Sequence, residues 1–312
     1  MRELRYLSPS SIKKFLTDQE LFFTQYLADE REEREPQNEA MATGSAFDAF
    51  IKAHLYKELA CGDDPAFELR TLFESQVDEH NWEFAWKAGK NCFDAYKGLG
   101  CVADLMLMLT DCTEPRFEFK LEGSIDPITM KLSDTGITLL GKPDMYFINA
   151  DGSGVILDWK VNGFCSKRKP SPCRGYLKYM GVDGKTKNYK EYLPTLINGV
   201  MCNASYYLEN GNEDWGRQLA IYGWLLGEAI GSLFITAIDQ LICCSGTVIG
   251  VAQHRSRIGE QYQLDLFENI KEIWDRVHGQ FFTDMSAMES EERCKVLNGN
   301  LGTGEFDFRR EV

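Results

Sequence analysis

The alternation of apolar and polar residues between residues 113 and 160 predicts a run of β-strands. Residues 116–122 alternate polar and apolar side chains, which is typical of a strand with one buried face. Residues 145–148 and 155–157 are short apolar runs, and residues 149–154 between them are rich in Gly, Asp and Ser. Two apolar runs joined by a short loop containing glycine predict a β-hairpin.

Helical patterns lie on either side of these strands. Ser8 followed by Pro9 predicts the start of a helix, because serine caps helices and proline fits the first helical position. The other predicted elements are a helix opening near Gly44, two helices within residues 66–98 with a helical continuation over 91–109, a helix after Asn212, strands at 235–243 and 247–252, and a helix over 261–282. Strands and helices mixed in this way predict an α/β (α+β) fold.

Length and composition favour one large domain. A chain of 312 residues with 44% hydrophobic content can bury a sizeable core. We divide it into a helical N-terminal part (1–112), a sheet core with the hairpin and a basic segment of residues 160–190 (113–260), and a C-terminal helix with an acidic tail (261–312). No apolar run is long enough to span a membrane, and the N-terminus lacks a signal-peptide pattern, so we expect a cytoplasmic protein.

Two acids and a lysine lie at the ends of the predicted hairpin strands. Because strand side chains alternate, Asp158 and Lys160 share one face and Trp159 points to the other. Asp144 heads the partner strand, close to the end of the second. Two carboxylates suit Mg²⁺, and a lysine can orient an attacking water or stabilise charge on phosphorus. The alternative is a surface Asp–Lys pair on an amphipathic hairpin.

Three motifs carry a family resemblance. The Gly-Lys-Pro-Asp sequence ending at Asp144 and the Asp-Trp-Lys sequence from Asp158 to Lys160 resemble the metal-dependent PD-(D/E)xK nuclease superfamily, in particular its RecB-like branch. The Gln-x-x-x-Tyr motif of that branch matches Gln218 and Tyr222, which one helix presents on one face. The resemblance implies a restriction-endonuclease-like core, with a central mixed β-sheet flanked by helices and an N-terminal helical elaboration.

The resemblance also implies a metal site of one or two Mg²⁺ or Mn²⁺ ions. Its expected ligands are Asp144, Asp158, the main-chain carbonyl of Trp159, and Asp48, which matches the position of a metal-binding histidine in the family. Aspartate favours the harder ions. For Asp48 the alternative is an exposed acid in the first turn of a helix, stabilised by the helix dipole.

Catalytic roles follow from the same resemblance. Lys160 is expected to orient the nucleophile, and Gln218 and Tyr222 to position that lysine or the DNA backbone. Tyr222 also fits an apolar helical stripe, so a core position is the alternative. The iron–sulfur cluster that some RecB-like nucleases bind is not expected, because residues 18–20, where its first ligand would fall, contain no cysteine.

The net charge of −14 argues against a simple nucleic-acid binder. The basic segment of residues 160–190 differs, because it contains a single acid, Asp183, and interleaved tyrosines. We expect it to grip a nucleic-acid backbone and stack on bases, the alternative being an exposed loop that is basic by chance. The predicted DNA-binding residues are Lys167, Arg168, Lys169, Arg174, Lys178, Lys185 and Lys187. Residues 253–257 predict a second, small basic patch.

The function implied by the resemblance is that of a DNA exonuclease in phage or bacterial recombination or repair, acting in the bacterial cell or the infected host. The chain has no Gly-x-x-x-x-Gly-Lys-Ser/Thr helicase motif. The expected partners are therefore DNA and a single-strand annealing or binding protein. Two alternatives are a nucleic-acid-binding module without turnover and an acidic protein that mimics DNA.

Overall fold

The computed structural model describes residues 1–30, 35–117, 119–167, 178–180, 186–188, 207–210, 212–286 and 288–299, with the backbone alone for 178–180, 186–188, 280–281 and 298–299. Helices build the described N-terminal part. They are α1 (Pro9–Thr17), α2 (Gln19–Phe22), α3 (Glu39–Glu58), α4 (Leu69–Gln76), α5 (Trp82–Gly98) and α6 (Cys101–Leu109). The predicted continuation over 91–109 is interrupted, because Gly100 adopts a positive φ of 85° between α5 and α6.

Helix α1 begins as predicted, whereas α3 begins earlier. The Ser8 hydroxyl accepts a hydrogen bond from the Ser11 N–H at 3.2 Å, and Pro9 occupies the first helical position. Helix α3 is capped by Asn38, whose side chain accepts from the Met41 N–H. Asp48 therefore lies in the middle of α3, and the alternative that it is a first-turn acid is wrong.

The strands are β1 (Thr113–Phe117), β2 (Leu121–Ile125), β3 (Leu132–Ser133), β4 (Ile137–Gly141), β5 (Met145–Ile148), β6 (Gly154–Asn162), β7 (Lys178–Met180), β8 (Thr186–Asn188), β9 (Ile235–Cys244) and β10 (Thr247–Ser256). The central sheet has the order β1-β5-β6-β9-β10. Strands β5 and β6 form the predicted antiparallel hairpin, with Met145 opposite Leu157. Strands β6 and β9 are parallel, with Lys160 beside Gln240.

One predicted strand is divided between two sheets. Strand β1 pairs with β5 in the central sheet, while β2 pairs with β3 and β4 in a separate three-stranded sheet. The single strand predicted over residues 116–122 is therefore wrong. Alternation shows which side chains share a face of a strand, but the partner strand is chosen by long-range packing.

Helices cover both faces of the central sheet. The remaining helices are α7 (Glu213–Leu225), α8 (Glu260–His278), α9 (Gln280–Met285) and α10 (Ser290–Gly299). Ile156 of β6 enters the core shared with α1, α7 and α8. Its neighbour Leu157 enters the core shared with α3, α5 and α6. A strand buried on both faces explains the continuous apolar run before Asp158.

This architecture, a mixed central sheet flanked by helices with further helices at the N-terminal side, confirms the predicted α/β fold class. Within the described residues, no helix has the length and apolar content that crossing a bilayer requires.

The prediction of a basic surface patch at residues 253–257 is wrong for two of its basic residues. His254 and Arg255 are fully buried, and Arg255 Nη1 lies 2.7 Å from Asp239 Oδ1. The buried acid neutralises a charge that the sequence assigned to the surface.

Candidate active site

The hairpin brings Asp144 and Asp158 to one edge of the central sheet. Asp144 directly precedes β5, and the antiparallel register of Met145 with Leu157 continues to place it beside Asp158. The Trp159 N–H donates to Asp144 Oδ2 at 3.0 Å. The N–H and C=O of one strand residue point to the same side of the strand. We therefore expect the Trp159 carbonyl to lie on the side of Asp144.

Helix α7 closes the site through Gln218. Its side-chain oxygen accepts from Lys160 Nζ at 3.0 Å, and its side-chain nitrogen donates to Asp158 Oδ1 at 3.1 Å. Lys160 Nζ lies 2.6 Å from Asp158 Oδ2. Gln218 thus satisfies both charged groups with one amide, which explains a polar residue on the buried stripe of α7.

Tyr222 is both a core residue and a member of this network. It packs in the core on the α7 side of the sheet, and its hydroxyl accepts from Gln218 Nε2 at 3.0 Å. The ring lies against Gly141, where an added Cβ would come within 2.7 Å of the Tyr222 Cδ1. The glycine of the Gly-Lys-Pro-Asp motif therefore leaves room for the tyrosine of the third motif.

Helix α3 contributes Asp48 and a lysine that the sequence analysis missed. Lys52 Nζ lies 2.5 Å from Asp48 Oδ2 and 3.4 Å from Asp144 Oδ1. Lys52 is 1% exposed, whereas the side chains of Asp48 and Asp144 are 17% and 24% exposed. The signal in the sequence was the i, i+4 spacing of Asp48 and Lys52, which places both on one face of a helix.

These groups line one cavity of about 420 Å³. Asp48 reaches it from α3, Asp144 from the start of β5, and Asp158 and Lys160 from β6. Its remaining polar lining is Gln37, Ser45, Lys52, Ser75, Gln76, Lys142 and Gln218. The three lysines Lys52, Lys142 and Lys160 balance the three carboxylates in the lining, so the described part of the pocket is close to electroneutral, which suits an ion bound together with an anionic substrate.

Burial and neighbouring charges shift the pKa values of the central pair. Burial of Asp158, which is 2% exposed, raises its pKa to about 6, although Lys160 opposes the shift. For Lys160, burial would lower the pKa, but the Asp158 and Asp144 carboxylates outweigh it and raise the pKa. Burial also raises the pKa of the Tyr222 hydroxyl, with Asp158 reinforcing the shift. Lys160 is therefore an ammonium at neutral pH and cannot act as a base.

The oxygen atoms at this edge fit a hard divalent cation. Asp158 Oδ2 is buried and, among the described residues, accepts no well-oriented hydrogen bond, its charged contact being Lys160. Asp144 lies beside Asp158, because Asp144 Oδ2 accepts from the N–H of Trp159, the residue after Asp158. In the described ranges, no group of three or more His, Cys, Asp or Glu side chains is close enough to hold a metal ion. Mg²⁺ is commonly held by one or two carboxylates, with water and substrate phosphate completing its shell.

The predicted DNA-binding residues lie mostly outside the described residues. Lys167 is described and is exposed beyond the end of β6. Lys178 and Lys187 lie in the paired strands β7 and β8. Arg168, Lys169, Arg174 and Lys185 fall outside the described ranges. The role of all seven stays a prediction.

Comparison with known proteins gives distant likenesses in structure alone. No family model matches the chain, and no curated protein matches it. A crystal structure from Eubacterium rectale, of a protein named "Putative exonuclease", aligns over 94% of this chain and 82% of its own, with 13% identity and a TM-score of 0.44. The structure of SSO0001 aligns over 84% of this chain and 86% of its own, with 15% identity and a TM-score of 0.27. What the site can do therefore rests on its own residues.

Proposed function

We propose that this protein is a divalent-metal-dependent deoxyribonuclease that hydrolyses phosphodiester bonds, and that it acts as an exonuclease. One observation carries the proposal. Asp144, Asp158 and Lys160 meet in a single polar cavity, and Gln218 hydrogen-bonds both members of the Asp158–Lys160 pair. A surface Asp–Lys pair would leave Asp158 in water rather than 2% exposed.

The carboxylates are the proposed metal ligands. Asp144 and Asp158, with the Trp159 carbonyl, would hold Mg²⁺ or Mn²⁺ at the edge of the sheet. Such an ion lowers the pKa of bound water and neutralises charge on the scissile phosphate. Asp158 must be ionised to bind the metal ion. Its buried environment disfavours the bare carboxylate, and a bound cation would offset that cost at neutral pH.

Lys160 is proposed to orient the nucleophile and to stabilise developing negative charge. Its ammonium donates hydrogen bonds, and it is fixed by Asp158 at 2.6 Å and by Gln218 at 3.0 Å. A donor held in place before the reaction avoids the cost of reorganisation in the transition state. Gln218 would hold Lys160 and Asp158 in position, and Tyr222 would hold Gln218 in position.

The test is cleavage of end-labelled linear DNA and closed circular DNA with Mg²⁺, with Mn²⁺ and with EDTA. We expect metal-dependent loss of linear DNA alone. Asp158→Asn should abolish cleavage, whereas Asp151→Asn, at an exposed position in the turn of the same hairpin, should leave it unchanged. Nicking of circles would replace the exonuclease assignment with an endonuclease.

Lys160→Ala separates chemistry from binding. It should abolish cleavage and leave DNA affinity largely intact, because one lysine is a small part of a phosphate-binding surface. Equal loss of both would contradict the catalytic role. Salt-dependent binding without cleavage by the folded wild type would favour a binding module, and absence of binding at low salt would favour an acidic mimic.

A further inference from the structure

A buried lysine, Lys52, joins two carboxylates at the candidate site. Its Nζ lies 2.5 Å from Asp48 Oδ2 and 3.4 Å from Asp144 Oδ1, and the residue is 1% exposed. An ammonium is buried at this depth only where opposite charges compensate for its lost hydration. Lys52 is thus a fixed positive charge inside the cavity and not a surface residue that happens to reach it.

The neighbours of Lys52 show which charge it balances. Asp144 directs Oδ2 to the Trp159 N–H at 3.0 Å and Oδ1 to Lys52. Asp158 has its own cation, because Lys160 Nζ lies 2.6 Å from its Oδ2. The Lys52 ammonium lies between Asp48 and Asp144, so it occupies the space that a divalent ion bound by these two carboxylates would need.

We propose that Lys52 is a positioning residue whose ammonium takes the place of a second divalent cation. The site then takes one ion, at Asp144 and Asp158, and Asp48 anchors Lys52 instead of binding metal. The inference rests on the proposed metal-dependent function and specifies its stoichiometry. A positive charge that contacts both Asp48 and Asp144 would orient Asp144 for the one ion that remains.

The experiment counts Mn²⁺ ions bound per chain at saturation, from the electron paramagnetic resonance signal of free Mn²⁺, in the full-length protein. We expect one ion for the wild type and one for Lys52→Arg, which keeps the charge. Lys52→Met, which removes the charge at similar length, should bind a second, weaker ion between Asp48 and Asp144. Lys57→Met, at an exposed position of the same helix, should still bind one.

Each outcome separates the inference from the function on which it rests. Two ions in the wild type, or an unchanged titration in Lys52→Met, would overturn the role of Lys52 alone. No bound ion in the wild type would overturn the metal-dependent function itself. If Lys52→Met fails to fold, Asp48→Asn decides: retention of one ion supports Asp48 as an anchor, and loss of binding makes it a ligand and overturns the inference.

Discussion

Gln218 and Lys160 are joined by a hydrogen bond of 3.0 Å between a helix and a strand that lie 58 residues apart in the sequence. The same amide donates to Asp158 at 3.1 Å. The orientation of the lysine is therefore fixed by α7 as well as by its own strand. Under the proposed function, Gln218 therefore positions the lysine, and its effect on the rate of cleavage can be separated from its effect on stability.

Replacing Gln218 by leucine tests that separation. Gln218→Leu should lower the rate of DNA cleavage by about 10²-fold, because a small misplacement of a catalytic group has effects of that order. The free energy of unfolding should fall by no more than about 1–3 kcal/mol, since leucine suits the apolar stripe of α7 but leaves Asp158 Oδ1 without its amide donor. Cleavage rates and urea unfolding measure the two effects. Gln261→Leu, at an exposed position of α8, should change neither. A loss of activity in Gln218→Leu no larger than the loss of folded protein would contradict the assignment.

The contact between α3 and α5 depends on Gly89. An added Cβ there would come within 2.5 Å of the Ala46 Cβ and 2.8 Å of the Ala46 carbonyl carbon. Gly89→Ala should therefore destabilise the protein by about 1–3 kcal/mol through overpacking, and reduce cleavage because α3 carries Asp48 and Lys52. Thermal and urea unfolding measure the first effect.

Gly98 provides the matched control for that substitution. It ends the same helix, is exposed, and has no heavy atom within 4 Å of the added Cβ. Gly98→Ala should be neutral or stabilising by up to about 1 kcal/mol. Equal effects of the two substitutions would show that helix propensity, and not the contact with α3, determines the result.

A buried ion pair lies against strand β6, on the face opposite to Lys160. Asp239, which neighbours Trp159 in the sheet, accepts from the Tyr96 hydroxyl and lies 2.7 Å from Arg255. Arg255→Met should destabilise the protein by about 3–5 kcal/mol, because it leaves a buried carboxylate without its cation.

The Arg255 prediction is checked by urea unfolding of single and double variants. Combining Arg255→Met with Asp239→Leu should cost less than the sum of the single changes, since no buried charge then remains unpaired. Lys87→Met, which breaks an exposed pair with Glu83, should stay within about 1 kcal/mol of the wild type. Additive losses at Arg255 and Asp239 would argue against coupling.

Glu209 makes stability depend on pH. Its Oε1 accepts from the Gly259 N–H at 3.0 Å, and burial raises its pKa from 4.5 to about 7. The folded state then keeps a proton that the unfolded state releases, so this group lowers stability as pH rises from 4.5 to about 7. Glu209→Gln keeps the acceptor and should stabilise the protein by about 1–3 kcal/mol at pH 8, but not below the unfolded pKa.

Unfolding measured across that pH range checks the Glu209 prediction. The difference in free energy between wild type and Glu209→Gln should grow as pH rises and level off above the folded pKa. Glu272→Gln, at an exposed position of α8, should show no such trend. A difference that is constant with pH would mean that Glu209 has the same pKa in the folded and unfolded states.

The sequence alone determined the hairpin and the spacing of its charged ends. Alternation placed Asp158 and Lys160 on one face, and the i, i+4 spacing placed Gln218 and Tyr222 on one helix face. These are local consequences of strand and helix periodicity, so they can be read from neighbouring residues. The length of the turn between the two strands determined the register in which they pair.

The tertiary structure decided which of these elements meet. It divided residues 116–122 between two sheets, buried Arg255 against Asp239, and placed Lys52 between Asp48 and Asp144. None of these follows from the periodicity of one element, because each depends on a residue of another element. A lysine on a helix is expected at the surface until packing brings a second carboxylate, here Asp144, to it, and burial then requires that pairing.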